Sequence, residues 1–249
     1  MVQFDMDLER LKEIVERGDS SGEPRIEIIK RAERRGPRLG VFASSFNPPT
    51  IAHVELIQRA AEAFSLDEIL ALAGKTNADK LDYECSLEDR LEMLALTLVA
   101  EPRVSIGLSS HAFYVDMIDA LDRAYPAQTD LHFIVGFDTF ERVLDVEDLY
   151  TKRYYREFSS RLEALDYLFA RSCFIVAGRA GAGLHNVRLL VECEPAVPPD
   201  RVVYLDFPAG LGELSATEVR KRRRADRSIT GLVPATVEEY IREHGLYAT

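Results

Sequence analysis

Residues 38–53 read Arg38-Leu39-Gly40-Val41-Phe42-Ala43-Ser44-Ser45-Phe46-Asn47-Pro48-Pro49-Thr50-Ile51-Ala52-His53, and residues 54–64 follow in a helical rhythm. The apolar run Leu39 to Ala43 has the length of one buried strand. A polar turn stiffened by two prolines comes next, and Val54, Ile57, Ala61 and Phe64 then recur on one helical face. Strand, turn and helix in that order form the unit of a parallel sheet covered by crossover helices.

Working outward, Ile69 to Ala73, Val104 to Leu108, Leu131 to Val135, Cys173 to Ala177 and Val202 to Leu205 repeat the buried-strand pattern. Leu87, Leu91, Leu94 and Leu98 share a helical face behind Ser86 and Asp89, an approximate capping box. Pro234 to His244 reads as a last helix closed by Gly245. The expected architecture is α/β, a Rossmann-like doubly wound parallel sheet with flanking helices, over residues 38–249. Residues 1–37 are expected to be an N-terminal helical extension, with Leu8, Leu11, Ile14 and Val15 on one face. Residues 145–160, rich in Tyr and charges, read as an insertion.

The chain has 249 residues, 47% of them apolar, enough for a sizeable core. No apolar run approaches the roughly 18 residues of a membrane span, and Met1 to Arg10 lack a signal-like apolar stretch, so a cytoplasmic protein with no membrane partner is expected. A formal net charge of −11 argues against general affinity for nucleic acid. Cys85, Cys173 and Cys193 are widely spaced and read as reduced thiols, not as a disulfide or metal set. Oligomeric state, homo-oligomerisation included, is left open.

Two segments carry chemistry. In a doubly wound sheet the loop leaving the first strand meets a helix N-terminus, where unpaired N–H groups and the helix dipole favour an anion. Ser44, Ser45 and Asn47 are small and polar there, and Thr50 and His53, three apart at the helix start, share one face. The second segment, Leu214-Ser215-Ala216-Thr217-Glu218-Val219-Arg220, again opens a helix after a strand and places an Arg one turn in. Taken singly, either segment also suits an ordinary cap with a packed or solvated neighbour.

Together the two segments resemble the nucleotidyltransferase superfamily with (H/T)-x-G-H and S-x-T-x-x-R motifs, in particular the nicotinate or nicotinamide mononucleotide adenylyltransferases. Glu88-Asp89-Arg90-Leu91-Glu92-Met93-Leu94, the turn Gly136-Phe137-Asp138 and the ending Gly245-Leu246-Tyr247 add to the likeness, which spans about Arg38 to Tyr247. The resemblance implies transfer of AMP from ATP to a mononucleotide, with Mg²⁺ accompanying ATP and pyrophosphate released. It implies His53, Thr50 and Arg220 as catalytic residues. Ser45, Phe46, Asn47, Lys75, Gly136, Asp138, Ser215 and Thr217 would bind ATP, and Phe113 and Tyr114 the acceptor.

The chain departs from that pattern in Ala43 and Ser44 where glycines are usual, in Ala52 for the motif Gly, and in the absence of Trp. The run Phe137 to Arg142 resembles the nicotinamide-type branch more than the nicotinate branch. Two alternatives stay open: a related enzyme with another phosphate acceptor such as phosphopantetheine, and a catalytically silent nucleotide-binding regulator.

Overall fold

The computed structural model describes residues 22–74, 84–98, 100–154, 157–178 and 182–248. All six expected strands are present: β2 (Arg38–Ser44), β3 (Glu68–Gly74), β4 (Val104–Ser109), β5 (Asp130–Gly136), β6 (Ser172–Ala177) and β7 (Val202–Leu205). They are parallel to one another in a seven-stranded sheet of order β1-β4-β3-β2-β5-β6-β7, in which β1 is Ile26–Lys30. Strands β3 and β4 are buried along nearly their whole length, which is why their sequences are continuous apolar runs without alternation.

The segment before residue 38 differs from the expected helix where it is described. Ile26–Lys30 form β1, which pairs antiparallel with β4 and closes that edge of the sheet. Only five residues long, with β-branched positions separated by Glu27, it falls below the length at which periodicity distinguishes strand from helix. Leu8 to Val15 lie outside the described residues.

Helices α1 (Ile51–Ala63) and α2 (Leu87–Leu98) cover one face of the sheet. The other face carries α3 (Tyr114–Ala124), α4 (Phe137–Leu144), α6 (Arg161–Arg171) and α7 (Leu184–Cys193) around Phe133, Phe140, Phe169 and Phe174. Between α4 and α6, the expected insertion contains the short helix α5 (Leu149–Tyr154). Its first N–H groups are received by the Asp145 carboxylate, at 2.8 Å from Leu149 and 2.9 Å from Thr151. After β7 come α8 (Ala209–Gly212), α9 (Ala216–Arg224) and α10 (Ala235–Glu243), the last packed on α2 through Met93, Val237, Ile241 and Tyr247. No helix among the described residues is long and apolar enough to cross a membrane.

Strand β2 lies between β3 and β5, and the chain leaves these neighbours toward opposite edges of the sheet. The β2/β5 boundary is therefore the topological switch point, where the carboxyl ends of the strands splay into a crevice.

Candidate active site

A cleft of about 670 Å³, open to solvent, occupies that crevice. It is lined by Ser44 from the end of β2, Thr50 and His53 from the start of α1, Gly136 from the end of β5, Gly178 after β6 and Ser215 before α9. A side chain at Gly178 would place its Cβ 2.7 Å from Tyr204 Oη and 2.9 Å from the Ala182 carbonyl, so the backbone runs against its neighbour there.

Thr50 is the N-cap of α1 and His53 its third residue. The Thr50 backbone N–H donates to His53 Nδ1 at 2.8 Å, and Thr50 Oγ1 lies 2.9 Å from the same nitrogen. A backbone N–H can only donate, so Nδ1 is an acceptor and we assign the ring hydrogen to Nε2. The imidazole thus takes the place that Glu or Gln fills in an ordinary capping box. Its ring is further held by Phe46 and Phe42, with centroids 5.3 and 5.7 Å away. Phe46 has φ 45° and is wholly buried, anchoring the loop from below.

The late segment meets the early one directly. Arg220 on α9, 7% exposed, donates through Nη1 to the Asn47 carbonyl at 2.6 Å across 173 residues of sequence. Its Nη2 reaches Thr217 Oγ1 at 3.3 Å, and its Nε reaches Glu84 Oε1 at 3.1 Å. Glu84 also pairs with Arg224. Partial burial pushes the Glu84 carboxyl upward, but the hydrogen bond from Arg224 and the charges of both arginines outweigh it and hold the group below the usual carboxylate range. Ser215 caps α9, its Oγ accepting from the Glu218 N–H at 3.2 Å.

Other residues singled out in the sequence take varied places. The Ser45 carbonyl faces away from the opening, toward Arg90. Asp138 stands in the first turn of α4, beyond Gly136, with Oδ2 3.7 Å from Arg142. Tyr114 borders the cleft, but its ring is packed edge-on to Phe133 at 4.9 Å, and burial raises its phenol well above the usual range. Phe113 contacts Tyr150 at 5.9 Å. Lys75 lies outside the described residues.

Three residues that sequence reasoning left without a site role support this loop. Arg90 on α2, 1% exposed, donates from Nη1 to the Ser45 carbonyl at 2.9 Å and the Gly74 carbonyl at 3.2 Å, tying together the exits of β2 and β3. The signal was available: Arg90 sits among Leu87, Leu91 and Leu94, a charge on an apolar helical face. Cys85 and Tyr247, the other two, both contact the Asn47 side chain, at 3.2 and 2.6 Å. No local pattern reveals those contacts, because they join residues 38 and 200 positions apart.

A doubly wound sheet with a polar cleft at its switch point, framed by two helix N-termini, defines a Rossmann-like nucleotidyltransferase fold. The comparisons agree. The cytidylyltransferase-like family model matches residues 41–222. A protein of Salinibacter ruber named "Probable nicotinate-nucleotide adenylyltransferase" is 30% identical, covering 84% of this chain and 97% of its own length. A protein of the same name from Gemmatimonas aurantiaca is 29% identical over 84% of this chain and 92% of its own. Among solved structures, Plasmodium falciparum nicotinic acid mononucleotide adenylyltransferase complexed with NaAD superposes with a TM-score of 0.64 at 16% identity, covering 85% of this chain and 98% of that one. The chain belongs to the cytidylyltransferase-like family, within its nicotinate-nucleotide adenylyltransferase group. These relatives bear the nicotinate name, whereas the run Phe137 to Arg142 had suggested the nicotinamide branch.

Proposed function

We propose that this protein transfers AMP from ATP to nicotinate mononucleotide, giving the deamido dinucleotide and pyrophosphate. The observation that carries the reading is the Arg220–Asn47 contact, which ties the late segment to the early one beside the cleft that Thr50, His53 and Ser215 line. The names of the relatives supply the acceptor.

An oxygen of the acceptor's 5′-phosphate is already ionised at neutral pH and attacks the α-phosphorus in line. A new P–O bond forms while the bond from the α-phosphorus to its bridging oxygen breaks, and pyrophosphate leaves with that electron pair. No base or covalent nucleophile is required, so positioning and charge stabilisation carry the rate. His53, with Nδ1 committed to Thr50, presents an Nε2–H donor to the α-phosphoryl oxygen as its charge grows. Thr217 and Arg220 hold the β- and γ-phosphates. Arg220 keeps one N–H on Asn47, and the groups it now shares with Glu84 and Thr217 are those a triphosphate takes over.

Ser45, Phe46 and Asn47 shape the loop around the phosphates, Gly136 and Asp138 hold the ribose side, and Phe113 and Tyr114 flank the acceptor. The cleft is lined by the imidazole of His53 and the hydroxyls of Ser44, Thr50, Thr139 and Ser215, which suit phosphate oxygens, and among the described residues no group of His, Cys, Asp and Glu is arranged to hold a cation. Mg²⁺ would enter with its nucleotide as MgATP and would screen the charge of the β- and γ-phosphates. A cytoplasmic site of action fits such a substrate.

Purified protein given MgATP and, separately, nicotinate mononucleotide, nicotinamide mononucleotide or phosphopantetheine tests the reading through pyrophosphate release. Nicotinate mononucleotide is expected to lead in kcat/KM by about tenfold or more, the range a well-placed polar recognition group provides. Release with phosphopantetheine alone would replace the acceptor. ATP binding without release on any acceptor would leave a nucleotide-binding regulator.

A further inference from the structure

Asn47 lies at the hinge between the early loop and the late helix, and two groups outside both motifs hold it. Its side chain is 5% exposed. Its Oδ1 accepts from Tyr247 Oη at 2.6 Å, across 200 residues of sequence, and from Cys85 Sγ at 3.2 Å, while Cys85 Sγ and Tyr247 Oη are themselves 3.0 Å apart. The other acceptor of the same residue, its backbone carbonyl, receives Arg220 Nη1 at 2.6 Å. Tyr247 is 4% exposed, at the end of the turn following α10, and its ring packs with Met93, Val219 and Ile241. Arg220 and Val219 are neighbours on α9, so the ring of Tyr247 shares its apolar cluster with the helix that carries the guanidinium, while its hydroxyl holds the loop that receives it.

We propose that Tyr247 is a positioning residue for the nucleotide site: by holding the Asn47 side chain it sets the Asn47 carbonyl that seats Arg220, and so the spacing between the two phosphate motifs. The site requires that spacing because the groups on both sides act on one triphosphate, and an error of about 1 Å in such an arrangement costs on the order of 10²-fold in rate. Core packing needs only the ring; the hydroxyl satisfies the buried Asn47 side chain and fixes its orientation. In this reading the C-terminal turn acts as a clasp: α10 packs on α2, α2 presents Arg90 to the Ser45 carbonyl, and Tyr247 presents its hydroxyl two residues further along the same loop. The loop from Ser45 to Asn47 is thereby fixed from beneath at both ends by residues that do not border the cleft.

The proposal rests on the adenylyltransferase reading only for its kinetic arm. Tyr247→Phe keeps the ring and removes the hydroxyl. Titration calorimetry with MgATP on the full chain is expected to show about tenfold weaker binding, and steady-state kinetics a raised KM for ATP with the KM for the mononucleotide nearly unchanged. In an Arg220→Lys background the same change should add less than about twofold, since residues acting through one another are not additive. A purely structural hydroxyl would lower the unfolding midpoint and leave the affinity for ATP per folded molecule unaltered. Cys85→Ala strips the second partner from the same oxygen while leaving Tyr247 in place. It is expected to weaken ATP binding two- to threefold, roughly the effect of a lost weak donor, and remains readable if Tyr247→Phe folds poorly. Wild-type affinity for MgATP in both variants, or full additivity with Arg220→Lys, overturns the proposal. A wild-type chain that binds MgATP but transfers to no acceptor defeats the functional reading, and the binding comparison still decides the role of Tyr247.

Discussion

His53 has two jobs, and they are separable. Its Nδ1 caps α1 by accepting the Thr50 N–H, a task that Gln at the same position also performs, while the proposed mechanism assigns its Nε2–H to phosphate. His53→Ala is expected to reduce kcat by on the order of 10²-fold or more, as removal of a preorganised stabiliser does. A folded variant with near-normal turnover removes His53 from the chemistry. A different residue is expected to contribute to the pH dependence of stability. Asp116 in α3 is pushed up to about 6 by burial first, and then by the charges of Glu157 and Asp119. Its folded value lies above the usual 3.8, so the folded state binds the extra proton and its stability falls as pH rises from about 4 to about 6. Asp116→Asn should therefore unfold at a higher temperature than wild type at pH 7.5, with the gap closing below pH 4. An equal midpoint at pH 7.5 would show that solvent already screens the group.

Among elements, α2 carries its site role on a residue that breaks its amphipathic pattern. Its apolar stripe explains packing on the sheet, and Arg90 interrupts that stripe to reach two main-chain carbonyls at the ends of β2 and β3. Arg90→Met keeps the length and apolar stem but leaves those carbonyls without this donor. A buried acceptor deprived of its partner costs about 1–3 kcal/mol, so a loss of a few kcal/mol in urea unfolding is expected, together with a higher KM for ATP. Unchanged stability would show that water replaces the guanidinium. Helix α9 illustrates the opposite case. Ser215 at its cap and Arg220 one turn in were visible as a motif, because capping and helical spacing are local rules that tertiary packing did not override.

Across the whole molecule, β1 has the clearest consequence. It pairs with the outer edge of β4, and behind it the Ala32 N–H donates to Ser105 Oγ at 2.8 Å, which in turn donates to the buried Glu68 carboxylate at 2.5 Å. Deleting residues 1–37 uncovers the row of backbone groups on β4 and opens that polar network to water. The shortened chain is expected to self-associate, as exposed strand edges do, and light scattering will show it. A monodisperse truncated monomer contradicts this role for β1. The six parallel strands, their order along the chain and the two capped strand-to-helix segments were legible from the sequence, since each depends on residues within a dozen positions of one another: apolar runs, helical periods and caps. The early strand β1 was not, because five residues gain their strand conformation from β4 and not from their own pattern. Nor were Glu84, Cys85 and Tyr247 legible as site residues, whereas Arg90 stood out as a charge on an apolar face. The sequence by itself determined what each loop can hold, through its hydroxyls, imidazole and guanidinium. Only the tertiary structure decided that the loops face the same cleft, and which distant groups hold them there, because burial and long-range hydrogen bonds are set by the way the sheet winds and not by any neighbouring residue.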